Sequence, residues 1–280
     1  MIVRIRYQYH LLLTAIMFLT RIPVPKNLPH SPALLQGAAR YFSWVGILIG
    51  ISAATVYSIS HYFFSPALSV LLSMISTLII TGAFHEDGLA DCFDAFGGGW
   101  SKERILTIMK DSRLGTYGVI GLVASLGLKF LLLFDIAIAV PTKNIFVLLI
   151  TAHACSRLMA VSVMQQLTYV QDIDLSKSKP LANERLTTVE IIIATIGAAI
   201  PLTTLIFIVL PASSFENTDI VFKIPFMLCI LITPVFILRY IAVKFFKKWI
   251  GGYTGDCLGA TQQICEIGFY FGYLLLWKSI

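Results

Sequence analysis

The sequence has little charge, and that scarcity excludes most classes of soluble protein. Only 13% of its 280 residues are Asp, Glu, Lys or Arg, whereas 57% are hydrophobic and the mean hydropathy is +0.83. Soluble domains usually carry about 25% charged residues. The five cysteines form no CxxC pair, so neither a disulfide framework nor a cysteine zinc site is predicted. The chain is therefore predicted to be an all-α integral membrane protein, a polytopic helical bundle forming one domain over residues 1–280.

Seven apolar segments are long enough to cross a hydrocarbon layer of roughly 30 Å. Before them, residues 11–19 form an apolar run too short to span, so an interfacial or re-entrant helix is predicted there. The last span contains Gln262, Gln263 and Glu266, so one of its faces must lie inside the bundle. The seven predicted spans cover residues 41–64, 67–84, 117–140, 145–167, 189–210, 224–242 and 258–277.

Lys and Arg residues fall unevenly on the two sides of this layout. If the N-terminus is inside, fifteen of the 21 basic residues lie on the inner side and three on the outer side. This asymmetry favours a cytoplasmic N-terminus. The same layout places the acidic segment 85–116, the loop 169–188 and the GGYTGD motif at 251–256 on the inner side. The net charge of +6 then reflects orientation, and no nucleic-acid partner is predicted.

The acidic segment 85–116 is the predicted site segment, and it reads HEDGLADCFDAFGGGWSKERILTIMKDSRLGT. Asp87, Asp91 and Asp94 stand at positions i, i+4 and i+7, so a helix brings them onto one face. Carboxylates held that close repel one another unless a cation lies among them. In a chain this apolar, such a cluster indicates a functional site.

The neighbouring residues have the chemistry of a diphosphate site. Mg²⁺, or alternatively Mn²⁺, takes hard oxygen ligands and neutralises a bound diphosphate. Asp111 is a candidate fourth metal ligand, and Lys110 and Arg113 are candidates for binding phosphate oxygens. Short helices are predicted over about 85–96 and 101–111. The glycines predicted to separate them and to let the backbone approach a ligand are Gly97, Gly98 and Gly99.

Other polar residues carry alternatives that the sequence leaves open. His85 is either a proton acceptor or donor at the site, or a residue with no part in it. Asp256 either completes the metal site, binds a nucleotide hydroxyl or caps the last helix. Arg21 is a candidate for contact with a substrate phosphate. Arg157 should face the bundle interior, where it either contacts the diphosphate or the corrinoid or forms an ion pair with an acidic residue. Glu86 is interpreted as a solvated charged residue with no ligand role.

Four motifs together resemble the cobalamin synthase family of adenosylcobinamide-GDP ribazoletransferases, and the resemblance extends over the whole chain. Ser43 departs from the family pattern, which often has proline there, and it touches no proposed ligand. The motifs are FLTRIPVP at 18–25, RYFSWVGILIG at 40–50, FHEDGLADCFDAFGGGW with KERILTIMKDSRLGTYG within 84–118, and GGYTGDCLGA at 251–260.

The resemblance implies the last steps of adenosylcobalamin biosynthesis. The 5′-hydroxyl of α-ribazole, or the phosphorylated form of α-ribazole, would attack the cobinamide-side phosphorus of adenosylcobinamide-GDP, and GMP would leave. It also implies Mg²⁺ dependence and a multi-pass location in the bacterial cell inner membrane, in contact with lipid, with the active site cytoplasmic. Contact with other cobalamin-assembly enzymes and oligomerisation stay open.

The residue roles follow from placing this reaction on the acidic segment. The leaving GMP would be stabilised by Lys110 and Arg113, and one of Asp91, Asp94 and His85 would take the hydroxyl proton. The predicted metal ligands are Asp87, Asp91, Asp94 and Asp111.

Two other functions fit parts of the pattern. A CDP-alcohol phosphotransferase also binds a diphosphate through aspartates, but its DG-x-x-AR motif lacks a match in DGLADCFD. A cation transporter would use acidic ligands near the bilayer midplane, whereas these carboxylates are predicted outside the spans.

Overall fold

The chain is described here from a computed structural model, which covers residues 2–170, 185–210 and 220–279. Lys177 and Lys179, which contribute to the predicted inner-side charge, lie outside these residues.

Regular structure in the described residues is helical, apart from an isolated bridge between Tyr169 and Tyr253. This confirms the predicted all-α class. A short 3-10 helix, Ala39–Tyr41, joins α2 to α3. The α-helices are α1 Ile2–Leu19, α2 Pro32–Ala38, α3 Phe42–Phe63, α4 Pro66–Thr81, α5 Phe84–Gly98, α6 Lys102–Met109, α7 Thr116–Ala139, α8 Thr142–Gln166, α9 Thr188–Val209, α10 Ile220–Ile250 and α11 Gly255–Ser279.

Fewer helices qualify as membrane spans by length and composition than the seven that the sequence predicts. Five qualify within the described residues, and α4 together with α5 makes a sixth if that bent pair is one span. The helix α11 does not qualify, because acidic and amide side chains lower its hydropathy. Those side chains are nevertheless buried inside the bundle, with Gln262 and Glu266 both 0% exposed.

Small residues bring α3 and α8 into close contact at the centre of the bundle. Gly46 and Gly50 are four residues apart on one face of α3 and lie against the backbone of α8. A Cβ atom at Gly46 would be 2.7 Å from Cα of Ala154, and one at Gly50 would be 2.5 Å from Cα of Ile150. Glycines at this spacing let two membrane helices approach closely, so dispersion contacts stabilise the pair.

A sharp turn between α4 and α5 positions the acidic segment. Gly82 and Ala83 both adopt left-handed backbone conformations, with φ of 66° and 56°. The turn ends α4 and changes the helix direction by 89°. Consequently α5 runs at a steep angle to α4 and packs against α11, α7 and α6 at one end of the bundle.

The helix α10 is the longest described, with 31 residues, and its last turns contact α5. Its two prolines, Pro225 and Pro234, lie in the first half. In the second half, the Phe245 and Phe246 rings lie 4.8 and 5.9 Å from the ring of Phe96 on α5. This aromatic contact holds the C-terminal end of α5 beside the basic end of α10.

Candidate active site

Two separate parts of the chain bring their carboxylates together at this end of the bundle. Asp87 is exposed on α5, and Asp91 is half-buried one turn later. The first turn of α11 carries Asp256 and lies against α5 at Gly88, where an added Cβ would be 3.0 Å from Cα of Asp256. The absence of a side chain at Gly88 therefore lets α11 approach the acidic face of α5.

The carboxylates of this cluster destabilise one another in their charged forms. Burial, followed by repulsion from Asp256, Asp87 and Asp94, raises the pKa of Asp91 to about 7. Burial is also the main cause that raises the pKa of Asp256 to about 6. Within the described residues, no basic side chain forms an ion pair with Asp87, Asp91 or Asp256. In the part of the chain that the structure describes, the cluster thus has negative charge without a cation paired to it.

Asp94 ties α5 to the beginning of α7. Its Oδ2 accepts a hydrogen bond from the amide of Gly115 at 2.7 Å, and its Oδ1 accepts one from Gly118 at 2.8 Å. A carboxylate is favourable at a helix N-terminus, where backbone N–H groups have no partner within the helix. A Cβ at either glycine would overlap this carboxylate. Asp94 therefore fixes the site segment, and only its remaining lone pairs are available for a cation.

Asp111 makes its contacts with Arg113 rather than with the aspartates of α5. Arg113 donates from Nη2 to Oδ2 of Asp111 at 2.6 Å and from Nε to Oδ1 at 3.0 Å. These hydrogen bonds lower the pKa of Asp111 to about 2. Arg113 and Lys110 are exposed, and Asp111 is partly exposed. A metal role for Asp111 and phosphate roles for Lys110 and Arg113 stay predictions.

The three glycines after the acidic helix differ in their surroundings. The helix α5 continues through Gly97 and Gly98, so the predicted break begins only at Gly99. A Cβ at Gly97 would lie 2.6 Å from the Tyr117 ring, and one at Gly99 would lie 2.6 Å from Ile105. Gly98 has no such close neighbour and is exposed. Close packing thus explains why Gly97 and Gly99 carry no side chain. Of the three glycines, Gly98 is the most open to a ligand.

His85 and Arg21 lie on either side of the α4–α5 turn. His85 is 5% exposed and faces the interior, where its strongest electrostatic neighbours are Arg157, Glu266 and His153 rather than the aspartates. The Arg21 amide donates to the carbonyl of Ile80 at 2.7 Å, and its exposed side chain covers Gly82. The structure therefore places Arg21 against the α4–α5 turn and His85 behind the acidic face.

A divalent cation is compatible with the donor set, although no ready-made site is present. In the described ranges, no three carboxylate, histidine or cysteine side chains are arranged to hold a metal ion. The aspartates on α5 and Asp256 nevertheless provide hard oxygen donors, and they form no ion pair within residues 2–170, 185–210 and 220–279. Asp87, Asp91 and Asp256 are the residues that would hold such an ion.

Behind the acidic face, a second carboxylate is completely surrounded by partners. Glu266 pairs with Lys129 at 2.5 Å and with His153 at 3.2 Å. It also accepts hydrogen bonds from Gln262 at 2.6 Å and from Tyr270 at 3.0 Å. These residues come from α7, α8 and α11. A charge at this depth in a membrane bundle needs such partners, because lipid provides none.

This buried network reaches α5 through Glu86. Its Oε1 accepts a hydrogen bond from Gln263 at 2.9 Å, and Gln263 also donates to Gln262 at 2.8 Å. The interpretation of Glu86 as a solvated residue is wrong, since it is only 6% exposed. Because this hydrogen bond from Gln263 holds Glu86 in place, it also orients the turn of α5 that carries Asp87.

The sequence reasoning missed some partners of the residues it selected. It offers an acidic partner as one alternative for Arg157, but Arg157 Nη1 donates instead to the carbonyl of His153 at 2.9 Å. It overlooks Lys129, whose position in a predicted span was a signal that an acidic partner would lie nearby. It also overlooks Gly115 and Gly118, which helical periodicity alone does not connect to Asp94.

Comparisons with known proteins identify the family of the chain. A family model for cobalamin-5-phosphate synthase matches residues 11–274. An adenosylcobinamide-GDP ribazoletransferase of Shewanella halifaxensis is 42% identical over 273 residues, covering 97% of each chain. The Vibrio parahaemolyticus protein of that name is 37% identical, covering 99% of this chain and 96% of its own. No solved structure matches the chain. The chain belongs to the cobalamin-5-phosphate synthase family.

Proposed function

We propose that this multi-pass membrane protein is an adenosylcobinamide-GDP ribazoletransferase that completes adenosylcobalamin. Its substrates are adenosylcobinamide-GDP and α-ribazole or α-ribazole 5′-phosphate, and GMP is the second product. The printed names of the similar proteins support the reaction. The structural observation that carries the proposal is the uncompensated cluster of Asp87, Asp91 and Asp256, because a diphosphate with its cation would complete it.

The reaction is a displacement at one phosphorus atom. A ribose hydroxyl oxygen forms a bond to the cobinamide-side phosphorus, the P–O bond to GMP breaks, and the hydroxyl proton passes to a base. Because α-ribazole 5′-phosphate is also a candidate substrate, the attacking hydroxyl is one that does not carry the 5′-phosphate. Such reactions depend mainly on positioning and on stabilising charge.

The residues of the site supply those two effects. Asp87, Asp91 and Asp256 would hold Mg²⁺, and the ion would supply positive charge to neutralise the diphosphate oxygens. Asp94 keeps α5 fixed to α7, so the carboxylates keep their relative positions. Lys110, Arg113 and Arg21 are exposed cations that would bind phosphate oxygens. A carboxylate of the cluster is a better proton acceptor than His85, whose ring faces the interior.

The location follows from the charge asymmetry. We place the protein in the bacterial inner membrane with its N-terminus and active site on the cytoplasmic side. The contact of residues 168–170 with residue 253, and of α5 with α11, brings three polar segments to the same end of the bundle. A reporter fused near Gly98 should be cytoplasmic, and a periplasmic signal would contradict this orientation.

The decisive experiment uses purified protein in phospholipid vesicles. With adenosylcobinamide-GDP, α-ribazole and Mg²⁺, we expect GMP and a complete corrinoid to form in equal amounts. Omitting α-ribazole should stop GMP release, since the chain transfers to a hydroxyl of the ribazole and not to water. GMP release without α-ribazole, or full activity after chelation of divalent cations, would refute the proposal.

A further inference from the structure

A small cavity lies on the interior side of α5, next to the first turn of α11. Its free volume is about 40 Å³. Its walls are almost entirely apolar and include Phe18, Phe42, Phe84 and Leu258. Gly255 and Gly259 form part of one wall and leave it without side chains. The same turn of α11 carries Asp256, so the cavity and the acidic cluster share one structural element.

The polar groups on the cavity wall are His85 and Arg157. Arg157 is 2% exposed, and its Nε–H has no hydrogen-bond partner among the described residues. Its Nη1 donates to the carbonyl of His153, which holds the guanidinium in place. A buried donor without an acceptor costs free energy, about 1–3 kcal/mol. A ligand that brings an acceptor into the cavity would remove that cost.

The chemistry of the walls selects the kind of ligand. Three rings lie in contact, with Phe18 5.9 Å from Phe42 and 5.3 Å from Phe84. Aromatic walls favour a flat aromatic group. A phosphate would bring negative charge into apolar surroundings, while Arg157 already lies in the field of Glu266 and Glu86. A neutral heterocycle with one acceptor nitrogen satisfies Arg157 without adding charge.

We propose that this cavity binds the benzimidazole base of α-ribazole, with its unsubstituted ring nitrogen accepting a hydrogen bond from Arg157. This inference rests on the proposed function and adds the place where the base is recognised. The other ring nitrogen carries the ribose, which then extends towards the turn that holds Asp256. The apolar walls contact the ring face and its methyl groups.

The cavity must widen for the base to enter, because a bicyclic ring is larger than 40 Å³. Phe84 can provide that space, since it is 43% exposed and adjoins the turn at Gly82. The opposite wall is fixed by α8, where Ala160 and Val161 are buried in the bundle. Entry from the Phe84 side therefore requires a rotation of one side chain and leaves the helices in place.

The test compares α-ribazole with its indole analogue, in which a C–H replaces the acceptor nitrogen. GMP release with adenosylcobinamide-GDP and Mg²⁺ gives kcat/KM for each nucleoside. For the unaltered protein we expect α-ribazole to be better by tenfold or more, since a charged donor loses its acceptor in the analogue. In Arg157→Met, this ratio should fall to about one.

A matched control and a second variant guard against loss of folding. Arg239 on α10 is another partly buried arginine, bonded to Ser162 at 2.9 Å, and Arg239→Met should keep the ratio. Ala160→Leu narrows the cavity and leaves Arg157 intact. It should raise KM for both nucleosides and leave kcat unchanged.

The outcomes separate the two proposals. An unaltered protein that forms no corrinoid product from α-ribazole would contradict the proposed function itself. An active protein with equal kcat/KM for the two nucleosides would overturn only the base-binding inference. The same conclusion would follow if Arg157→Met kept the ratio, or if Ala160→Leu left KM unchanged.

Discussion

Two groups of carboxylates in this protein lie close together but differ in their partners. Glu266, inside the bundle, contacts Lys129, His153, Gln262 and Tyr270. The cluster around Asp91, at the end of the bundle, has other carboxylates as neighbours and no ion pair within the described residues. Both regions include residues of α11, so the same helix supplies a compensated acid and an uncompensated one.

This difference in partners separates a carboxylate whose charge stabilises the fold from carboxylates whose charge is available to a ligand. A fold that can surround Glu266 with donors could also place a lysine beside Asp91, yet no basic side chain pairs with Asp91 in the residues that the structure describes. Such a cluster costs stability in the absence of a cation. We interpret this cost as the consequence of a site whose positive partner arrives with the substrate.

The largest effect should come from removing one carboxylate of the uncompensated group. Asp91→Asn keeps the side-chain shape but removes a charge that would hold Mg²⁺, so we expect GMP release to fall by roughly 1,000-fold or more. The protein should remain folded, since relief of repulsion does not destabilise it. The control is Asp135→Asn on α7, where the carboxylate is exposed and distant in the sequence from the cluster. If both variants kept full activity, the acidic cluster would not be the site.

A substitution in the compensated group should act on stability instead. Glu266→Gln leaves Lys129 buried without its counter-charge, and breaking such a pair costs about 3–5 kcal/mol. We expect a clear fall in the thermal unfolding temperature in detergent. Adding Lys129→Met should restore part of the lost unfolding temperature, because the charges of both Glu266 and Lys129 are then absent. A double variant no more stable than the single one would contradict the pairing.

The pH dependence of the acidic cluster should follow the raised pKa values of Asp91 and Asp256, about 7 and about 6. Below these values the folded protein holds protons where Mg²⁺ would bind, so Mg²⁺ affinity should fall about tenfold from pH 7.5 to 6. Because both pKa values are raised on folding, stability without Mg²⁺ should decrease as pH rises from about 4 to 7. Titrations of Mg²⁺ and thermal unfolding at several pH values measure both trends.

In Asp91→Asn, Mg²⁺ affinity and the unfolding temperature should both depend less on pH, because one of the two carboxyl groups with a raised pKa is gone. Unchanged Mg²⁺ affinity over this pH range in the unaltered protein would mean that the cluster does not bind the ion.

The smallest effect should come from Asp111, whose carboxylate already has a cation beside it. Asp111→Asn breaks the exposed pair with Arg113, and exposed pairs contribute little. We expect less than a threefold change in kcat/KM, measured beside Asp91→Asn. If Asp111→Asn lowered kcat/KM as much as Asp91→Asn does, Asp111 would have to be counted among the metal ligands. The distinction between paired and unpaired carboxylates would then no longer hold.

Helical periodicity predicted the parts of this molecule that depend on local spacing. The shared face of Asp87, Asp91 and Asp94 follows from 3.6 residues per turn, and the structure contains that helix. The apolar runs likewise predicted most of the long helices. The α4–α5 turn was not predicted, because it depends on left-handed backbone at Gly82 and Ala83, and alanine rarely adopts it.

Contacts between distant segments could not be read from spacing. The approach of Asp256 to Gly88, the bonds from Gly115 and Gly118 to Asp94, and the burial of Glu86 all join separate helices. Each depends on how helices rotate about their axes, which a single sequence with apolar residues on most faces does not specify. The sequence shows which residue types are present, but the packing of the helices decides which residues contact one another.

The length of α10 has a consequence for the surroundings of the enzyme. Its 31 residues extend about 46 Å, whereas the hydrocarbon layer is roughly 30 Å thick. The end of α10 that carries Phe245 and Phe246 contains no proline, so we expect it to move as one rigid segment when the helix tilts. That movement would change the position of the two rings against Phe96. Tilt in turn adjusts to hydrophobic mismatch. The acyl-chain length of the surrounding phospholipids is thus coupled mechanically to the helix that carries the aspartates.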